Sequence, residues 1–137
     1  IGTARLALSH AVEYAKNRNV FNAAIGTHQG IQHPLAAAHA KLEAAWLSVL
    51  NAASLNDKEP GSKVSGDAAN MAKYVAVEAA IEAGYHAMQT FGGSGFAREF
   101  HQERWWRELQ LFRLAPLTQQ MTLNYIGEHV LGLPKSY

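Results

Sequence analysis

Residues 31–53 read IQHPLAAAHAKLEAAWLSVLNAA, and within them Ile31, Leu35, Ala38, Leu42, Ala45, Val49 and Ala53 recur in steps of four and three. Side chains at that spacing fall on one stripe of an α-helix, the pattern of a helix packed in a bundle. Pro34 is compatible with it only near the helix start, where an N–H would have no partner. The polar run Asn56-Asp57-Lys58-Glu59-Pro60-Gly61-Ser62 ends the stripe with a Pro-Gly turn.

The same spacing extends in both directions. Upstream, Thr3 to Arg18 places Leu8, Ala11, Val12 and Ala15 on one helical face and Glu13 and Lys16 elsewhere. Asn17, Asn19, Asn22, Gly26 and Gly30 then predict a loop. Downstream, Ser65 or Asp67 is the expected cap of a third helix reaching about Phe91. Met71, Tyr74, Glu78, Ile81, Tyr85 and Met88 share one of its faces, and Ala68, Ala72, Val75, Ala79 and Ala83 a smaller one beside it. Gly92-Gly93-Ser94-Gly95 stops that helix. A short helix is expected over Glu99 to Leu111, and Ala115-Pro116 marks a new start. A final helix carries Met121, Tyr125, Ile126 and Val130, with Gly132 and Pro134 as its stop. The expectation is all-α: an up-and-down four-helix bundle, four long antiparallel helices plus one short extra helix, in a single domain over residues 1–137.

Composition narrows the function. Over 137 residues the apolar share is 48% and the charged share 17%, too apolar and too weakly charged for a disordered chain. A formal charge of +1 excludes a strong general field for nucleic acid or an anionic membrane. Cys 0 excludes disulfides, thiol nucleophiles and Cys-ligated metal, and suits a reducing cytoplasm. No apolar run approaches the roughly 20 residues that span a bilayer, and no secretory signal opens the chain. The reading is a soluble, cytoplasmic protein with no membrane insertion. The start at Ile1 rather than Met raises the expectation of a fragment or a processed form.

Several motifs invite chemistry. The seven histidines lack metal-ligand spacing, and Glu78, Glu82 and His86 lie on one strip with the wrong steps for a di-iron bundle, so no metal site is expected. Gly92-Gly93-Ser94-Gly95 follows a helix rather than a strand, which argues against a P-loop or dinucleotide fingerprint. It reads as a helix stop whose bare backbone a close partner could approach. Trp105 and Trp106 are adjacent and cannot share a helical face, so one is expected in the core and the other exposed or in an interface.

Taken in order, Arg18-Asn19-Val20-Phe21, His28-Gln29, Met71-Ala72-Lys73, Gln89-Thr90-Phe91-Gly92-Gly93-Ser94-Gly95-Phe96, Arg104, Arg107-Glu108 and Leu131-Gly132-Leu133-Pro134-Lys135-Ser136-Tyr137 resemble the C-terminal helical domain of the acyl-CoA dehydrogenase family. The resemblance implies a larger flavoenzyme with FAD lying between domains and across a subunit interface. In it Arg18 would pair with the flavin diphosphate, Phe21 would pack beside it and Gln29 would add a polar contact. Gln89, Gly92 and Gly93 would take the adenosine-diphosphate part of a neighbouring subunit's FAD, and Thr118 and Gln120 would touch FAD at the start of the last helix. It further implies an acyl-CoA substrate, an electron-transfer flavoprotein as partner, and a homodimer or homotetramer.

Two departures stand out. Asn22 stands where many members have glycine, and Ala115-Pro116-Leu117-Thr118 stands where many place the catalytic base in a Glu-Gly-Thr run. Pro116 cannot accept a proton, so no catalytic residue is expected in this chain. A base would come from upstream of Ile1. Two rival readings are a non-catalytic interaction bundle and a flavin oxidase on the same fold.

Overall fold

A computed structural model describes residues 1–136; Tyr137, the end of the last motif, lies outside them. Three long helices carry the structure: α1 (Gly2–Asn17), α2 (Gln29–Lys58) and α3 (Lys63–Phe91). Arg5 on α1 pairs with Glu43 on α2, and Lys41 on α2 with Glu82 on α3, so the three run up, down and up. Leu35, Ala38, Leu42 and Ala45 of the α2 stripe are buried, but farther along it is Ala52, not Ala53, that faces inward. A straight helix repeats every 3.6 residues, so a stripe of threes and fours drifts around it. Pro34 is the sixth residue of α2, which leaves Gly30 without its intrahelical donor.

The fourth arm divides at Ala115-Pro116 as expected, but its final helix is short. It is a broken descent along α3 in two pieces. The first, α4 (Gln102–Leu111), lies against the C-terminal half of α3. The second, α5 (Gln119–Tyr125), followed by a π-helical turn over Ile126–Val130, lies against the N-terminal half. Leu109 of α4 reaches Gly84, while Tyr125 of α5 reaches Asp67. Pro116 lies between the pieces and, having no N–H, cannot continue a helix. At Gly84 an added Cβ would stand 2.7 Å from Leu109 Cδ1 and 3.4 Å from Trp106 Cδ1, so glycine here admits α4 closely.

Two boundaries are corrected. Ser62, not Ser65 or Asp67, caps α3. The Pro60-Gly61 turn leaves Ser62 extended, and its Oγ accepts the Ser65 N–H at 3.2 Å. Asp67 instead accepts bonds from Lys63 and Tyr125. The short helix begins at Gln102 rather than Glu99, after two 3-10 turns (Gly92–Phe96 and Arg98–Phe100) and a left-handed His101 at φ 59°.

The core is built from small residues. Ala4, Ala7, Ala11 and Ala15 of α1 pack with Ala79, Ala80, Ala83 and Ala87 of α3. Burial on α3 draws on both expected faces, Ala68, Ala72, Ala79 and Ala83 with Ile81 and Met88, whereas Met71, Val75 and Tyr85 are exposed. Helices approach closely where side chains are short, and Ile81, Phe91 and Leu109 fill the core beside the alanines. Trp105 is buried; Trp106 is half-buried, its indole N–H covered and unpartnered.

Candidate functional site

The expected loop after α1 is a small hairpin, β1 (Asn19–Val20) paired antiparallel with β2 (Ala23–Ala24). Its two-residue turn holds Phe21 at φ 52° and Asn22 at φ 64°. Asparagine tolerates this left-handed region better than most residues, so Asn22 keeps a tight turn where glycine is the usual solution. Phe21 at the tip is 96% exposed. Arg18 caps α1: its N–H donates to Tyr14 O at 2.8 Å, and its carbonyl accepts the Ile25 N–H at 2.8 Å. The backbone is thus fixed while the guanidinium stays exposed, with no hydrogen bond or ion pair among the described residues.

The C-terminus of α3 reaches the same end of the bundle. Tyr14 stacks on Phe91 with ring centroids 4.2 Å apart, and Phe100 touches both rings. Because α2 runs antiparallel to α1, Gln29 starts it at this end too. The structure therefore brings Arg18, Phe21, Gln29, Gln89, Gly92 and Gly93 to one end of the molecule, all exposed. Gly92 has φ 57° and ψ −135°, a conformation open in practice to glycine alone. Beyond the adjoining residues, nothing among the described residues comes within 4 Å of a Cβ added at Gly92 or Gly93, so that face is free for something else to approach.

Thr118 and Gln120 do not join this group. Thr118 caps α5, its Oγ1 accepting the Met121 N–H at 3.2 Å, and Gln120 is exposed one residue into the helix. Gln119 between them bonds Glu78, eleven residues before Gln89 on α3. At about 1.5 Å rise per residue that separates the two groups by about 16 Å along the bundle. The separation suits a long ligand or two ligands.

The sequence reading missed what surrounds Thr118. Glu78 accepts Arg113 Nε at 3.0 Å, Arg113 Nη2 at 2.8 Å and Gln119 Nε2 at 3.1 Å. The Arg113 hydrogen bonds hold the Glu78 carboxyl below its ordinary range, and Glu78 raises Arg113 in turn. Lys73 Nζ donates to Leu117 O and lies 3.5 Å from Gln119 Oε1. The Gln119 N–H closes the neck of the loop on Arg113 O at 2.9 Å. Glu82, from the strip weighed as a metal site, pairs with Lys41 and lies 3.8 Å from His86. Among the described residues no cluster of three or more His, Asp or Glu could hold a metal, and no helix is long and apolar enough to cross a membrane.

The exposed end offers an unpaired planar cation, an exposed aromatic ring, two free amides and a bare glycine backbone. That donor set fits a cofactor with a diphosphate flanked by aromatic rings, FAD among them. The class is an all-α helical bundle. The chain belongs to the acyl-CoA dehydrogenase family: residues 1–131 match the family described as acyl-CoA dehydrogenase, C-terminal domain. It is 42% identical, over all 137 residues and 35% of the relative, to the acyl-CoA dehydrogenase FadE12 of Mycobacterium tuberculosis. It is 40% identical over 131 residues (96% of this chain, 34% of the relative) to the caffeyl-CoA reductase-Etf complex subunit CarC of Acetobacterium woodii. A solved structure described as the FAD complex of PigA superposes with a TM-score of 0.87 at 29% identity, covering 96% of this chain and 33% of that one. The chain spans about a third of the length of these relatives.

Proposed function

We propose that this chain is the FAD-contacting and oligomerising C-terminal domain of a flavoenzyme that dehydrogenates an acyl-CoA thioester between Cα and Cβ. The observation that carries the reading is the group of exposed residues at one end of the bundle: Arg18, Phe21, Gln29, Gln89, Gly92 and Gly93. FAD, when bound, supplies the acceptor for the hydride leaving Cβ. In this reading Arg18 binds the diphosphate, Phe21 covers it and Gln29 adds a polar contact. Gln89, Gly92 and Gly93 meet the adenosine-diphosphate part of a neighbouring subunit's FAD, while Thr118 and Gln120 touch FAD at the other group. The exposed Met71, Val75 and Tyr85 face of α3 supports a homodimer or homotetramer. The relative named as an Etf-complex subunit supports an electron-transfer flavoprotein as redox partner.

The chain supplies no base at the loop tip. Ala115, Pro116 and Leu117 carry no titratable side chain, and Thr118 is an unactivated hydroxyl occupied as a helix cap. The base that takes the α-proton is a carboxylate outside these residues, and Pro116→Ala leaves turnover within several-fold. Purified full-length protein is expected to show flavin absorbance that bleaches on addition of an acyl-CoA. Flavin that is retained but never bleaches, by any acyl-CoA, favours the non-catalytic bundle instead, a reading motivated by Pro116. Oxygen uptake with peroxide release favours an oxidase.

A further inference from the structure

The broken fourth arm brings a structural question: what holds residues 113–119 in one place, when the loop interrupts a helix and shows solvent Leu114 at 67% and Leu117 at 52% exposure? Four side chains answer it. Glu78 accepts both donors of the Arg113 fork at one neck of the loop and the Gln119 amide at the other. Lys73, from the same helix, holds the Leu117 carbonyl at the tip. Gln119 is only 6% exposed, and its amide lies between the Glu78 carboxylate and the Lys73 ammonium, which fixes its orientation. The Gln119 backbone N–H closes on Arg113 O. Thr118 and Gln120 flank this residue directly.

We propose that Glu78 is a positioning residue for the cofactor contact at Thr118 and Gln120: through Arg113 and Gln119 it sets the start of α5. This rests on the reading above that Thr118 and Gln120 face FAD. A carboxylate is suited to the task because it accepts from two partners at once, in the paired geometry a guanidinium offers. Neutral isosteres lose one of those bonds. The arrangement also explains why a helix cap at Thr118 suffices for a helix as short as α5: the residue after the cap is tied sideways to α3.

The test uses full-length protein stripped of flavin, titrated with FAD, with thermal melting of the same apoprotein as a control. Glu78→Ala and Thr118→Ala are each expected to raise the FAD dissociation constant about tenfold, the scale of one charged or well-placed hydrogen bond. Gln119→Met keeps the Arg113–Glu78 pair but cuts its link to α5, and is expected to weaken FAD similarly, which covers the case of an unstable Glu78→Ala. A merely structural role for Glu78 would move the melting temperature and leave FAD affinity alone. If Thr118→Ala weakens FAD while Glu78→Ala and Gln119→Met do not, the positioning role is overturned and the flavin reading stands. If neither group of variants matters but Arg18→Ala does, FAD does not reach α5 and the positioning role falls with that contact.

Discussion

The two ends of the proposed cofactor surface are built on opposite principles. At the Gly92 end the site's polar side chains are unpaired among the described residues: Arg18 has no partner there, and Gly92 and Gly93 face open space. At the Thr118 flank nearly every polar group is satisfied within the chain, by Glu78, Arg113, Gln119 and Lys73. A donor kept unpaired at the surface costs little because water satisfies it, and it stays available to a ligand. A donor already bonded contributes geometry. The first region is therefore read as binding and the second as placing.

Removing the support beneath the flank should have the largest effect. Leu109, 1% exposed, packs onto Gly84 and holds α4 to α3. Leu109→Ala is expected to lower stability by about 2–5 kcal/mol in urea unfolding, the range for a buried leucine. Loss below about 1 kcal/mol would mean that α4 is not anchored there.

Within the binding end, Gly92 and Gly93 should separate. Gly92→Ala forces a side chain into a backbone region that penalises it, by about 1–3 kcal/mol of stability. Gly93 has no positive φ and no close neighbour, so Gly93→Ala should leave melting unchanged and weaken only FAD. Equal melting losses at both would contradict the assignment of Gly93 to a ligand.

At the flank, the Arg113–Glu78 pair is 44% and 39% exposed and so worth about 0–1 kcal/mol to folding, less in high salt. Arg113→Ala should scarcely move the urea midpoint. A loss of several kcal/mol would make the pair a fold determinant rather than a placing device.

The smallest effect is in acid. Glu78 is held below its ordinary pKa first by Arg113, and Asp67 first by its hydrogen bond from Lys63. Carboxylates depressed in the folded state contribute stability that is complete above the unfolded carboxylate range, about 4, and lost as pH falls through their lower folded values. Unfolding of wild type should steepen below that range, and Glu78→Gln should flatten part of the slope. An unchanged slope would remove Glu78 from the acid transition.

Much of this was legible in the sequence where the information is local. The α2 stripe, the Gly92 stop and the Pro60-Gly61 turn each follow from neighbouring residues, and Leu35, Leu42 and Ala45 are buried as the spacing predicts. The expected cap of α3 lies three or five residues past the true one because Ser62, Ser65 and Asp67 offer similar chemistry, and only the turn geometry selects Ser62. The hairpin at Phe21-Asn22 lacked the usual Asn-Gly signal. Glu78 and Arg113 are 35 residues apart, and no periodicity joins them; their pairing exists because the fourth arm breaks at the height of Glu78. The buried face of α3 was also hidden, since it takes residues from both periodic stripes, Ala79 and Ala83 with Ile81 and Met88.

The claim that the unpaired end receives the cofactor is tested most directly by one comparison in the full-length protein: FAD affinity of Arg18→Ala against wild type, with melting of both apoproteins. Loss of about 1.5–3 kcal/mol of FAD binding, the scale of a hydrogen bond to a charged group, with an unchanged melting temperature is the expected result. Undiminished flavin content after exhaustive dialysis of Arg18→Ala would contradict the account.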